Sequence, residues 1–166
     1  MKRYLILIAV LLLVAAWVAA CSGQSTPVAP TVSHGGPVED YVSLIDALRA
    51  VGAAVEPAGE VEQPFFSVKG QIITVNGADV QVFEYADEAA AEREAEKVGP
   101  DGFHIDNSIV DWVASPHFYK KARLIALYVG DDANVKSVLQ NVLGAQLAGT
   151  DLETPDLPAP TPKPTP

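Results

Sequence analysis

Apolar residues recur along this chain at two spacings, and each spacing predicts a different element. Between Val38 and Val51, the residues Tyr41, Leu44, Ile45 and Leu48 fall at i, i+3, i+4 and i+7. That stripe predicts an amphipathic helix, with Pro37 at its start and Gly52 just past its end. Ala53 to Glu56 reads as a short strand stopped by Pro57, and Val61 to Gln63 is too polar to assign. Phe65 to Val68 and the β-branched run Ile72 to Val75 read as strands. Asn76-Gly77 is a type I′ hairpin signal, since both central residues of that turn need a positive φ. Asp79 to Tyr85 supplies the returning arm. Ala86 to Val98 predicts a second helix capped by Asp87, with only Ala91, Ala95 and Val98 as its stripe, so it should lie on the surface. Asp101 to Asn107 reads as a loop. Ile109 to Ala114 alternates and predicts a strand broken by Ser115-Pro116. Leu124 to Val129 is apolar on both faces and predicts a central strand. Asp131 and Asp132 open a last helix with the stripe Val135, Val138, Leu139, Val142 and Leu143, ended by Gly144.

Strands in runs with helices between them predict an α+β domain: an antiparallel sheet of about four to five strands covered by two to three helices. The strand order does not follow from the pattern. The periodic part spans residues 38–149, about the size of one domain with its own core.

Outside it the pattern changes. Residues 22–37 are rich in Ser, Thr, Pro and Gly and read as a flexible tether spanning roughly 20–25 Å. Residues 150–166 are dense in proline and favour extended, disordered chain. Met1-Lys2-Arg3 is followed by an uncharged run from Tyr4 to Ala20, short for a spanning helix, which needs roughly 20 apolar residues. Basic start, apolar core and small Ala19-Ala20 make a secretory signal of residues 1–20.

That signal ends at Cys21, the single cysteine of the 166 residues. Val18-Ala19-Ala20-Cys21 resembles the lipobox of bacterial lipoproteins. The resemblance implies that a diacylglyceryl group joins the sulfur of Cys21 and that cleavage occurs just before it. It places residues 21–37 as lipidated cysteine and tether, and the domain on the extracytoplasmic face of a cell membrane, or of an outer membrane in a cell that has one. Two acyl chains hold a protein stably where one holds it marginally, at about 0.8 kcal/mol per buried CH₂. The alternatives are an ordinary signal peptide or an uncleaved anchor.

Composition sharpens this. The formal charge is −10, and removal of Lys2 and Arg3 with the signal takes it to −12. Such a chain is repelled by nucleic acid and by anionic headgroups, which excludes both as electrostatic partners. With Cys21 alone there is no internal disulfide, so the fold must rest on packing.

Candidate chemistry is thin. His34, His104 and His117 lack helical spacing and cysteine partners, and His104 with Asp106 is too little for a metal, so neither metal nor cofactor is expected. Ser115, His117 and Asp111 invite a triad, yet Ser-Pro before an aromatic is more often a strand-end turn. Glu92, Glu94 and Glu96 read as a solvated surface. The least bland stretch runs from Trp112 to Arg123. It sets Trp112, Phe118 and Tyr119 beside His117, Lys120, Lys121 and Arg123, a positive patch in an acidic protein. Trp112, His117, Tyr119, Lys120 and Lys121 are therefore the candidate binding residues for a small anionic or sugar-bearing ligand, by stacking and charge. The competing view is that the aromatics fill the core while the lysines guard a sheet edge.

Pro64-Phe65-Phe66-Ser67-Val68-Lys69-Gly70, Val82-Phe83-Glu84-Tyr85 and Ser115-Pro116-His117-Phe118-Tyr119-Lys120 resemble segments of small lipoproteins of Gram-positive-type bacteria. That group brings no assigned activity and transfers no functional residue. The expected function is a non-catalytic binding or interaction module of the cell envelope. An envelope hydrolase or transferase built on the His117 region, and an accessory or inhibitory subunit using the hairpin edge, are the alternatives.

Overall fold

The structure, a computed structural model, describes residues 36–150. The signal, Cys21, most of the tether and the proline-rich end from residue 151 onward lie outside those residues. The order is α1 (Tyr41–Ala50), β1 (Val55–Val61), β2 (Gly70–Val75), β3 (Ala78–Glu84), α2 (Glu88–Ala95), β4 (His104–Ile105), β5 (Ser108–Ile109), β6 (Pro116–Lys121), β7 (Leu124–Val129), α3 (Ala133–Leu143) and β8 (Gln146–Gly149). The fold is α+β. Six strands form one antiparallel sheet in the order β1-β2-β3-β7-β6-β8, and β4 with β5 forms a separate two-stranded ribbon.

Local chemistry sets the helix starts. Asp40 caps α1 in a reciprocal box: its carboxylate accepts the Ser43 amide, and the Ser43 hydroxyl accepts the Asp40 amide, each at 2.9 Å. Asp87 and Asp132 cap α2 and α3 one way, their carboxylates accepting the amides of Ala90 and of Asn134 and Val135. The β2–β3 hairpin turns on Asn76 (φ 52°) and Gly77 (φ 88°), the geometry that the Asn-Gly pair favours. The Asn76 side chain does more than turn the chain. Its oxygen accepts the Ala54 amide, and its nitrogen donates to Asn134 at the start of α3.

The sheet is packed on both sides. One face carries Ile73, Val75, Val80, Val82, Leu124 and Ala126 against α1 and α3, whose stripes Leu44, Ile45, Leu48, Val135, Leu139 and Leu143 are buried. The other face carries Phe83, Phe118, Ile125 and Leu127 beneath α2 and the segments around Phe66 and Ile105. Strand β7 lies between β3 and β6 and is buried from Leu124 through Tyr128, as its two-sided apolar pattern requires.

The structure corrects several sequence expectations. Phe65 to Val68 is a turn, opened by the Phe66 amide donating to the Gln63 carbonyl (3.1 Å). Ile109 to Ala114 is a loop beyond a two-residue strand. The partner of β7 is instead β6, whose first residue is Pro116; a proline there removes no ladder donor that the strand needs. Strand β1 runs on through Pro57 to Val61, because it is an edge strand and bulges between Pro57 and Gly59. The sheet gains β8, which pairs with β6. The count is thus six strands plus a two-stranded ribbon, above the expected four to five. Helix α2 rests on the sheet through buried Ala91 and Ala95, small side chains that bring its backbone close. Among the described residues no helix is long and apolar enough to cross a membrane.

Candidate functional site

Successive side chains of a strand point to opposite faces, and this divides the Trp112–Arg123 patch. Tyr119 is buried on the face covered by α1 and α3. His117 shares that face, wholly buried, with its ring stacked on Tyr128 at 5.9 Å and Nδ1 3.0 Å from the Gln146 side-chain oxygen. Trp112 packs on the opposite face, edge-on to Phe118 (6.1 Å) and Phe65 (5.9 Å), and its indole N–H donates to the Gly102 carbonyl at 2.8 Å. The sheet therefore separates Trp112 from His117 and Tyr119.

The positive charge is also taken up within the fold. The Lys120 ammonium lies 2.6 Å from Glu92 and 3.8 Å from Glu88, both on α2. Arg123 reaches Glu84 (2.5 Å) and Asp40 (3.6 Å), tying the β6–β7 turn to β3 and to the cap of α1. Lys121 is exposed and borders a shallow groove of about 280 Å³ with Val51 and Val142, between α1 and α3. The five candidate side chains thus do not meet around one ligand. Of the proposed triad, His117 is buried against Gln146 while Asp111 is exposed. His104 pairs with Asp101 (2.7 Å) rather than Asp106. Among the described residues no three His, Cys, Asp or Glu side chains are grouped to hold a metal.

What the fold does bring together is the loop between β1 and β2 and the segment between β5 and β6. Gln63 and Pro64 form a ridge with a groove on either side. One groove, about 490 Å³, is lined by Glu62, Phe66, Ser67, Val68 and Lys69. The other, about 350 Å³, is lined by Phe65, Ser108, Ile109, Val110 and Asp111. Ile109 is 76% exposed and Val113 100% exposed, the two most exposed large apolar residues among those described. The ridge is stapled by the Gln63 side chain, which donates to Gln81 (2.8 Å), and by the pair of Lys69 with Glu62 (2.6 Å). That pair holds the Glu62 carboxyl below, and the Lys69 ammonium above, their ordinary ranges through the hydrogen bond and its charge.

Beneath this region lies a buried polar pair. Glu94 is 8% exposed, not the solvated residue expected from its neighbours Glu92 and Glu96. Burial pushes its carboxyl up, but the Lys97 ammonium at 2.8 Å and the adjacent Ser67 outweigh that and hold it below the usual range. Oε2 of Glu94 has no hydrogen-bond partner of good geometry, and neither has the hydroxyl of Tyr85, 3% exposed. Burial, with the nearby Glu94 charge, pushes the Tyr85 phenol well above its usual range. A buried hydroxyl without a partner costs about 1–3 kcal/mol. Tyr85→Phe, which keeps the ring against Phe66, is therefore expected to raise stability by about 1 kcal/mol in urea unfolding. A loss of stability instead would show that a water completes the pair.

The grooves were hidden in the sequence because Phe65 and Ile109 sit in stretches that read as strands. The signals against a long strand there are Pro64 before the first and Asp106-Asn107 before the second. Comparison with protein-family models, with curated proteins and with solved structures finds no match for the chain.

Proposed function

We propose that the protein is a lipid-anchored extracytoplasmic lipoprotein whose α+β domain is a non-catalytic interaction module of the cell envelope. The observation that carries this is the coincidence, in the sequence, of Lys2-Arg3, an uncharged run to Ala20, and Val18-Ala19-Ala20-Cys21 with the single cysteine. A diacyl anchor at Cys21 supplies the membrane attachment; the tether of residues 21–37 and the disulfide-free domain fit an element held off a bilayer. The supporting feature of the domain is the pair of grooves at the Gln63-Pro64 ridge, one of them lined by Phe65, Val110 and exposed Ile109. Contiguous exposed apolar surface marks interaction sites. A protein partner suits this domain better than a small anion, since Lys120 and Arg123 already pair with carboxylates of the fold.

Cys21→Ser is expected to abolish labelling by a radioactive or alkyne fatty acid and to release the protein from the membrane fraction. A variant that stays in the membrane at its original size would make the apolar run a transmembrane anchor. Crosslinking of the lipidated chain in cells is expected to give one or more defined adducts, and their absence under efficient crosslinking would sink the interaction module.

A further inference from the structure

We infer that the groove of Phe65, Ile109 and Val110 is the docking surface, and that its occupant is a polypeptide segment carrying an apolar anchor flanked by lysine or arginine. The inference rests on the interaction-module reading and names the surface and the partner chemistry for it.

Exposure comes first. Ile109, at the end of β5, exposes its apolar side chain in this groove, and half-buried Phe65 and Val110 line it as well. The floor is firm. Phe65 is edge-on to Phe66 at 4.9 Å and to Trp112 at 5.9 Å, and Trp112 is pinned to the Gly102 carbonyl. An apolar groove backed by packed aromatics loses little conformational entropy when a side chain enters it.

Charge selects the occupant. No lysine or arginine occurs between Lys97 and Lys120, and that interval holds Asp101, Asp106 and Asp111. Asp106 and Asp111 are exposed, and Asp111 lines the groove itself. Across the ridge, Glu62 is balanced by Lys69, so Asp111 sets the sign at the groove. A second copy of this chain would bring the Asp111 carboxylate against its own counterpart, and like charges across an interface cost affinity. Anionic headgroups and nucleic acid are repelled for the same reason. A cationic polypeptide with an apolar side chain satisfies both features of the surface.

The test uses the lipidated full chain in nanodiscs of zwitterionic lipid, with empty nanodiscs as the baseline. The probe is a fluorescent synthetic peptide of two leucines and a tryptophan flanked by lysines, compared with the same core flanked by glutamates. The lysine peptide is expected to bind at least tenfold more tightly, and more weakly as salt rises. Ile109→Asp is expected to weaken it at least tenfold, while Val42→Asp, on the exposed side of α1, leaves it unchanged. Equal binding of the two peptides, or binding indifferent to Ile109→Asp, overturns the proposal. So does self-association in sedimentation that Ile109→Asp abolishes, since the occupant is then a second copy. The two levels fail separately: no adduct in cells sinks the interaction module, whereas adducts that persist in Ile109→Asp sink this surface alone.

Discussion

Phe118→Ala is expected to destabilise the domain by about 3–5 kcal/mol, the usual range for deleting a buried phenylalanine. Phe118 is fully buried on a strand with neighbours on both sides, β7 and β8, so the backbone cannot collapse into the space that the ring leaves. The ring also organises what lies above it. Phe66 and Trp112 meet it edge-on at 6.4 and 6.1 Å, and Phe65 meets both Phe66 and Trp112. Removal of Phe118 therefore loosens the floor of the Ile109 groove as well as the core. A domain of this size has about 5–15 kcal/mol of net stability, so the loss is a large fraction of the whole. Urea unfolding followed by Trp112 fluorescence reads it. A midpoint within the error of wild type would mean that the aromatic cluster is not a fixed part of the fold.

The same residues show which parts of this architecture can be seen in a sequence. The helices α1 and α3 are legible because each has a stripe at helical spacing, Leu44, Ile45 and Leu48 in one and Val135, Leu139 and Leu143 in the other; the start of α1 is not, since Pro37 suggests it while the helix begins at Tyr41 behind the Asp40 cap. Strand β7 is legible because a run apolar on both faces has no place but the sheet centre. Strand register is local information too when a turn fixes it, as Asn76-Gly77 does. Phe65–Val68 and Ile109–Ala114 mislead because aromatic and β-branched residues favour strands wherever a sheet edge is open to them. The open edges lie elsewhere, at β1 and β8; β3 pairs directly with β7, and both segments pack on the α2 face of the sheet, burying Phe66 and part of Trp112. Linear proximity misleads at the candidate site for a similar reason. Trp112, His117 and Tyr119 are close in sequence, but a strand alternates its side chains, and the sheet stands between the indole and the other two rings. Ile109 and Val113 become informative only once it is known that the six-stranded sheet buries neither.

Gly149→Ala is expected to detach β8 from β6. Gly149 has φ 129°, a conformation open to glycine and rarely to residues with a side chain, and strain of that kind costs about 1–3 kcal/mol. Space is the larger difficulty. A Cβ there would fall well inside the van der Waals limit of the Pro116 carbonyl oxygen and 2.7 Å from the Gln146 side-chain nitrogen. The carbonyl belongs to the backbone of β6 and cannot swing away, so strand separation is the relief available. Two attachments go with it. The Gly149 amide donates to the Pro100 carbonyl (2.9 Å), which anchors the loop before β4, and Gln146 holds Nδ1 of His117. Hydrogen exchange is expected to quicken along β6 and in the Gly99–Phe103 loop, while β2 and β3, at the other end of the sheet, keep their protection. Loss of β8 also uncovers the outer edge of β6, next to buried Phe118 and Tyr119, and an unpaired edge of that kind invites strand addition by another chain. Gly149→Ala should therefore aggregate at lower concentration than wild type, and a monomeric variant with unchanged exchange in β6 would show that β8 contributes little to holding the sheet.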